Sequence, residues 1–247
     1  MSGHSKWAGI KHKKAIVDAK RGKVFTRLAN QLTIAAREGG GDSEMNFRLR
    51  LSIDKAKAAN MPQANIQRAI DRGIGKGDGA KLEEITYEGY GPGSVAVMVK
   101  VLTDNRNRSA ADIRSAFTKA GGKLGSGGTV AWMFEPKAII RVSEADPTKQ
   151  EDLSLIAIEA GAVDVDMGDE LIVYATPESL RAIQDQLRGE GAELASELTL
   201  EPKDSVQVND EVVVKRIMSF LDALEEMDEV VETYSNFDTA LELSEIE

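Results

Sequence analysis

The chain has 247 residues, with 31 Lys/Arg against 41 Asp/Glu and a formal net charge of -10. At 42% hydrophobic and 29% charged residues it has the balance of a globular protein, long enough for one to three domains. The absence of Cys excludes a disulfide framework, a thiol nucleophile and a thiolate metal site, and no apolar run approaches the roughly 18 residues of a spanning helix.

The amino terminus also lacks the apolar core of a signal peptide, so a cytoplasmic location and no membrane partner are expected. Its first 27 residues, MSGHSKWAGIKHKKAIVDAKRGKVFTR, hold eight Lys/Arg and one acid, Asp18. Residues 1–81 carry 17 Lys/Arg and 7 Asp/Glu, whereas residues 82–247 carry 14 and 34. A cationic arm on an anionic body has a polyanion as its natural partner.

Helical periodicity comes first in the chain. Phe25, Leu28, Ala29, Leu32, Ala35 and Ala36 form one apolar stripe, stopped by Gly39-Gly40-Gly41. Asp42 or Ser43 is expected to cap a second helix through Leu49, Ile53 and Ala56, ending near Asn60. A third passes through Ile66, Ala69 and Ile70 to Gly73, and GIGKGDG (73–79) reads as a linker.

Strand character begins at Ile85. ITYEGYGPGSVAVMVKVLT is a hairpin around a Gly/Pro turn, followed by a helix near 109–120 and a strand TVAWMFE, with Pro136 separating it from the next strand. Strand 138–143, helix 148–160, strands 163–166 and 170–175, helix 177–189 and strand 193–200 spell βαββαβ, a ferredoxin-like unit. A capped helix after Asn209/Asp210 and a strand near 230–234 close the chain. The expected fold is α+β in three domains: a basic arm with a three-helix bundle (1–81), an α/β domain (82–135 with 206–247), and a βαββαβ domain (137–201) inserted in it.

The candidate nucleic-acid-binding residues are Lys6, Trp7, Lys11, His12, Lys13, Lys14, Lys20, Arg21, Lys23 and Arg27. So many cations around one acid suit salt-sensitive phosphate binding. Trp7 either stacks on an unpaired base or packs against the bundle. In DNRNRS (104–109), Ser109 with Asp112 reads as a capping-box variant, while Arg106 and Arg108 project beside a helix amino terminus that suits phosphate. Cap and ligand contact are compatible.

Catalytic signatures are lacking. His4 and His12 have no cysteine and only Asp18 nearby, so neither a metal site nor a hydrolase base is expected. GIGKGDG lacks Walker spacing, and GYGPGS joins two strands rather than a strand and a helix, so no nucleotide cofactor is expected.

Taken in order, GHSKWAGIKHKK, RGKVFTRL, AAREGGGD, NMPQANIQRAI, YEGYGPG, DNRNRS and GGTVAWMFE resemble the YebC family, which includes the mitochondrial translational activator of cytochrome c oxidase. Gly9 stands where Asn is common, Phe47 where Pro is common, Ser94 where Gly often follows, and Ser109 replaces the usual Thr. The resemblance implies a helical first domain and two α/β domains, no enzyme activity and no cofactor. It implies a DNA-binding probable transcriptional regulator; other members resemble translation factors that act on ribosomes and ease synthesis through proline-rich stretches. DNA and ribosomal RNA, with the ribosome itself, are therefore the expected partners, and an enzyme using an inter-domain cleft is the remote alternative.

Overall fold

A computed structural model describes residues 21–76 and 82–241 as two compact units. One unit comprises described residues 21–76, 82–134 and 202–241, and the other runs from Glu135 to Glu201.

Three helices open the first unit: α1 (Arg21–Gly39), α2 (Phe47–Ala58) and α3 (Gln63–Gly73). Leu28, Leu32, Ala35 and Ala36 of the α1 stripe meet Leu49 and Ala56 of α2 and Ile66, Ala69 and Ile70 of α3. The cap of α2 differs from expectation. Asn46, not Asp42 or Ser43, accepts the Leu49 N–H at 3.0 Å, and its amide donates to the Ala35 and Gly40 carbonyls at 2.7 Å each. The amide thereby ties the end of α1, including the Gly40 carbonyl beyond its last turn, to the capped start of α2.

Next come β1 (Glu83–Tyr90), β2 (Ala96–Thr103), α4 (Arg106–Lys119) and the two-residue β3 (Lys123–Leu124). β1 and β2 form an antiparallel hairpin from Glu83↔Thr103 to Tyr90↔Ala96. Gly93, with φ +68, takes the left-handed conformation that its tight turn requires.

In the Glu135–Glu201 unit the chain supplies β4 (Phe134–Val142), α5 (Pro147–Glu159), β5 (Asp164–Met167), β6 (Leu171–Ala175), α6 (Leu180–Gly189) and β7 (Leu194–Pro202). Their sheet order, β5-β6-β4-β7, is that of a ferredoxin-like βαββαβ. Ile140, Leu171, Val173, Leu180, Ile183 and Leu187 are fully buried there. TVAWMFE is not one strand: Ala131–Met133 form a 3-10 turn, and β4 runs unbroken from Phe134 through Pro136. Pairing of β4 with β6 begins only at Ala138, so Pro136 has no N–H bond to lose on that side.

The chain then returns to the first unit with β8 (Val206–Gln207), α7 (Glu211–Glu225), β9 (Val230–Ser235) and β10 (Phe237–Asp238). Asp210 caps α7 by accepting the Val213 N–H at 3.0 Å. β9 pairs antiparallel with β2, giving the order β3-β1-β2-β9, and β8 and β10 form a separate short parallel pair. One face of the larger sheet is covered by α4 and α7, through Val97, Val99, Val101, Ile113, Phe117, Ile217, Phe220 and Leu224. On the other face Ile34 of α1 packs with Leu102 and Val231. The fold is α+β.

Candidate nucleic-acid interface

Lys6, Trp7, Lys11, His12, Lys13, Lys14 and Lys20 lie outside the described residues. Arg21 is the first residue of α1. Two turns of that helix carry Lys23 and Arg27 to the carboxyl-terminal end of α7. Lys23 Nζ lies 3.5 Å from the Glu226 carbonyl and 3.6 Å from its carboxylate. Arg27 donates to the Glu225 carbonyl at 3.0 Å and lies 3.6 Å from the Glu225 carboxylate. The last turn of α7 contains no basic residue, so α1 supplies the positive charge that its exposed carbonyls attract.

The same seam continues inward. Asn30 donates to the Asp228 carbonyl at 3.2 Å and accepts from Arg72 at 2.9 Å, which links α1, α3 and the turn after α7. Lys23 and Arg27 therefore hold the bundle on the α/β part of its own unit. Half of the Lys23 side chain still faces solvent, against a third of Arg27.

Elsewhere on the bundle, Lys55, Lys57, Arg68 and Lys76 are exposed. Arg50 sits over the Phe47 ring at 5.2 Å, and Arg48 pairs with Glu38. Described residues 21–76 hold 11 Lys/Arg and 5 Asp/Glu. The positive balance is thus a property of the folded helices as well as of the arm.

Arg106 and Arg108 begin α4, but their fates differ. The helix is capped by Asn105, which accepts the Arg108 N–H at 3.1 Å, and not by Ser109. Ser109 is buried: its hydroxyl meets Thr103 Oγ1 at 2.8 Å, the Asn105 carbonyl at 3.1 Å, and the Glu229 carboxylate. Arg108 bonds to Glu229 and to Asp104, and the Glu229 bond above all raises its pKa above the ordinary arginine value. Its charge serves the junction of α4 with the turn before β9. Arg106 is exposed and makes no ion pair with a described residue. Of the two, Arg106 has its guanidinium to offer a phosphate.

Sequence reasoning missed one arrangement. Glu88, only 6% exposed, accepts backbone N–H bonds from Gly128, Val130 and Ala131, each at 2.8 Å. Burial pushes its carboxyl up, yet the three amides outweigh burial and hold the pKa below the usual glutamate value. Nothing in the spacing of YEGYG from GSGGTVAW announces this pairing, because strand alternation alone makes Glu88 an ordinary β residue.

A cleft of about 650 Å³ lies between α4 and α7, lined by Val101, Ile113, Phe220 and Met227 and rimmed by Asp112, Lys119 and Arg216. Among the described residues, no three His, Cys, Asp or Glu gather as a metal site, and no helix is long and apolar enough to cross a membrane.

Comparison with known proteins bears on the whole chain. The family model described as the TACO1/YebC protein N-terminal domain matches residues 5–76, and that of the TACO1/YebC second and third domain matches 82–237. A probable transcriptional regulatory protein of Herpetosiphon aurantiacus is 48% identical over 99% of this chain and 98% of its own length. One so named from Rubrobacter xylanophilus is 52% identical, over 98% of each chain. The crystal structure of a conserved hypothetical protein from Aquifex aeolicus aligns with TM-score 0.84 and 45% identity, covering 97% of this chain and 99% of that one.

Proposed function

Because the chain belongs to the TACO1/YebC family, we propose that it is a non-enzymatic regulator of gene expression that binds nucleic acid through its amino-terminal third. The observation that carries this reading is the charge division: 17 Lys/Arg against 7 Asp/Glu in residues 1–81, and the reverse excess after them. Phosphate binding by the cationic end releases counterions, while the acidic remainder is repelled from the same backbone. We read the chain as three domains, 1–81, 82–135 with 206–247, and 137–201, of which the first makes the contact.

Within the arm, Lys6, Lys11, His12, Lys13, Lys14, Lys20 and Arg21 face the phosphates and Trp7 stacks on a base. Lys23 adds to them from the exposed half of its side chain, Arg27 steadies the bundle beneath, and Arg106 adds a phosphate contact from α4. The protein works in the cytoplasm. The names of its relatives favour DNA as the target. A net charge of -10 favours the alternative, structured ribosomal RNA, which is read by shape and backbone at a local basic surface.

The test is binding of the full chain to duplex DNA and to ribosomal particles across a salt series. Changing Lys11, Lys13 and Lys14 together to Glu is expected to weaken binding sharply and flatten its salt dependence. Unchanged affinity and slope would refute the assignment. Co-sedimentation with ribosomes at low salt, without selective retention on promoter DNA, would decide for translation.

A further inference from the structure

The loop between β3 and β4, residues 125–133, combines three properties that the amino-terminal contact does not use. First, it is fixed in shape. Besides the three amides held by Glu88, Gly125 N–H donates to the Glu88 carbonyl at 2.7 Å and Thr129 Oγ1 to the Ser126 carbonyl at 2.6 Å. Placing a carboxylate in a buried position solely to accept backbone amides is costly unless the conformation it holds is useful.

Second, the fixed loop displays an indole. Trp132 is 66% exposed, although its ring N–H donates to the Thr129 carbonyl at 3.2 Å. Anchored by its edge, the ring has its orientation set while most of its surface stays in water. Trp is ordinarily largely buried, so an exposed and oriented one marks a contact surface. Tyr90, 37% exposed, lies opposite Lys123 in the β1–β3 register.

Third, the loop lies in a stretch of the chain without acidic residues. No acid occurs between Asp112 and Glu135, the longest acid-free stretch of a chain with 41 acids. Within it Arg114, Lys119 and Lys123 are exposed, and none makes an ion pair with a described residue. Glu88 is the nearest carboxylate along β1, and its oxygens are occupied by the loop's own amides.

We propose that this loop is a second nucleic-acid contact, in which Trp132 stacks on an unpaired base and Lys119 and Lys123 face the adjoining phosphates. The proposal rests on the nucleic-acid reading given above and deepens it: the target presents a single-stranded segment as well as a backbone for the arm. A fixed aromatic face, in a stretch of chain whose exposed charges are all cationic, fits an unstacked base on a polyanion. An apolar peptide partner has no use for the cations.

The test uses the full chain carrying Trp7→Phe, so that Trp132 is the sole tryptophan. Titration with single-stranded oligouridylate and oligoadenylate should quench its emission, and duplex of equal length should not. Trp132→Ala should weaken single-strand binding roughly 5- to 150-fold, the range that one base–aromatic stack implies. Its salt slope should stay unchanged, and Trp132→Phe should recover part of the affinity. Lys119→Glu with Lys123→Glu should instead lower the slope. If the chain binds oligonucleotides with no change in emission and Trp132→Ala binds equally well, the loop proposal fails while the arm's role stands. If emission responds equally to duplex, base stacking is overturned. If the unaltered chain binds no nucleic acid at any salt concentration, both readings fall together.

Discussion

Arg27 of α1 and the Glu225 carbonyl at the end of α7 are 198 residues apart in sequence and 3.0 Å apart in space. This bond and its neighbour from Lys23 place two members of the basic segment inside the protein's own architecture. Arg27→Ala should therefore lower stability by about 1 kcal/mol, the scale of one partly exposed charge-assisted bond. Urea unfolding measures it. Nucleic-acid affinity should fall far less than in the triple lysine variant of the arm.

Asn46 serves two helices at once, so its loss should exceed that of an ordinary cap. Asn46→Ala removes the acceptor of the Leu49 N–H and the donor to two carbonyls at a position 6% exposed. A loss of about 2–3 kcal/mol is expected. Asn46→Asp keeps the acceptor but sets a buried carboxylate against the Ala35 and Gly40 carbonyls, and should rescue little. Denaturant midpoints of the two variants check this.

At Gly73, α3 lies close against α1. A Cβ there would lie 2.5 Å from the Thr33 carbonyl oxygen and 2.8 Å from Ala36 Cβ, so one helix must move. Gly73→Ala should cost roughly 1–3 kcal/mol through overpacking. Gly40→Ala, where a Cβ meets nothing but φ is +85, isolates the backbone contribution. Thermal unfolding of both separates crowding from strain.

Glu88 makes stability depend on acidity. Its folded pKa lies below the ordinary 4.5, so its stabilising effect is complete above that value and is lost as pH falls through the lower folded value. Glu88→Gln keeps one acceptor oxygen but turns an amide donor toward backbone donors. It should be destabilised by about 1–3 kcal/mol at neutral pH. The gap to the unaltered protein should narrow below about pH 4.5, as stability curves at several pH values would record.

Much of this architecture is legible from the amino-acid order. The apolar stripe from Phe25 to Ala36 requires a helix, and the succession of strand and helix patterns from Ala138 to Leu200 spells βαββαβ, because each segment keeps a single period. Where several residues compete, the order fails. Asp42, Ser43 and Asn46 can all cap, and the choice falls to Asn46 because the end of α1 needs its amide. TVAWMFE reads as a strand, but the Glu88 carboxylate draws the amides of Val130 and Ala131 into a turn. The two-residue strands β3, β8 and β10 are too short to leave a pattern. At the interface, the cationic excess was visible, whereas the partners of Lys23, Arg27 and Arg108 were not, being about 120 to 200 residues away along the chain.

The placement of β9 beside β2 has a bearing on biosynthesis. Translation delivers β1, β2 and α4 first, then the whole of the Glu135–Glu201 unit, and only afterwards the helix and strand that complete the earlier sheet. While the nascent chain waits, Val97, Val99 and Val101 lack the cover of α7, and the outer edge of β2 is open. The segment made later holds all its own strands and is free to fold sooner, so the order of synthesis and the order of folding are inverted along this polypeptide.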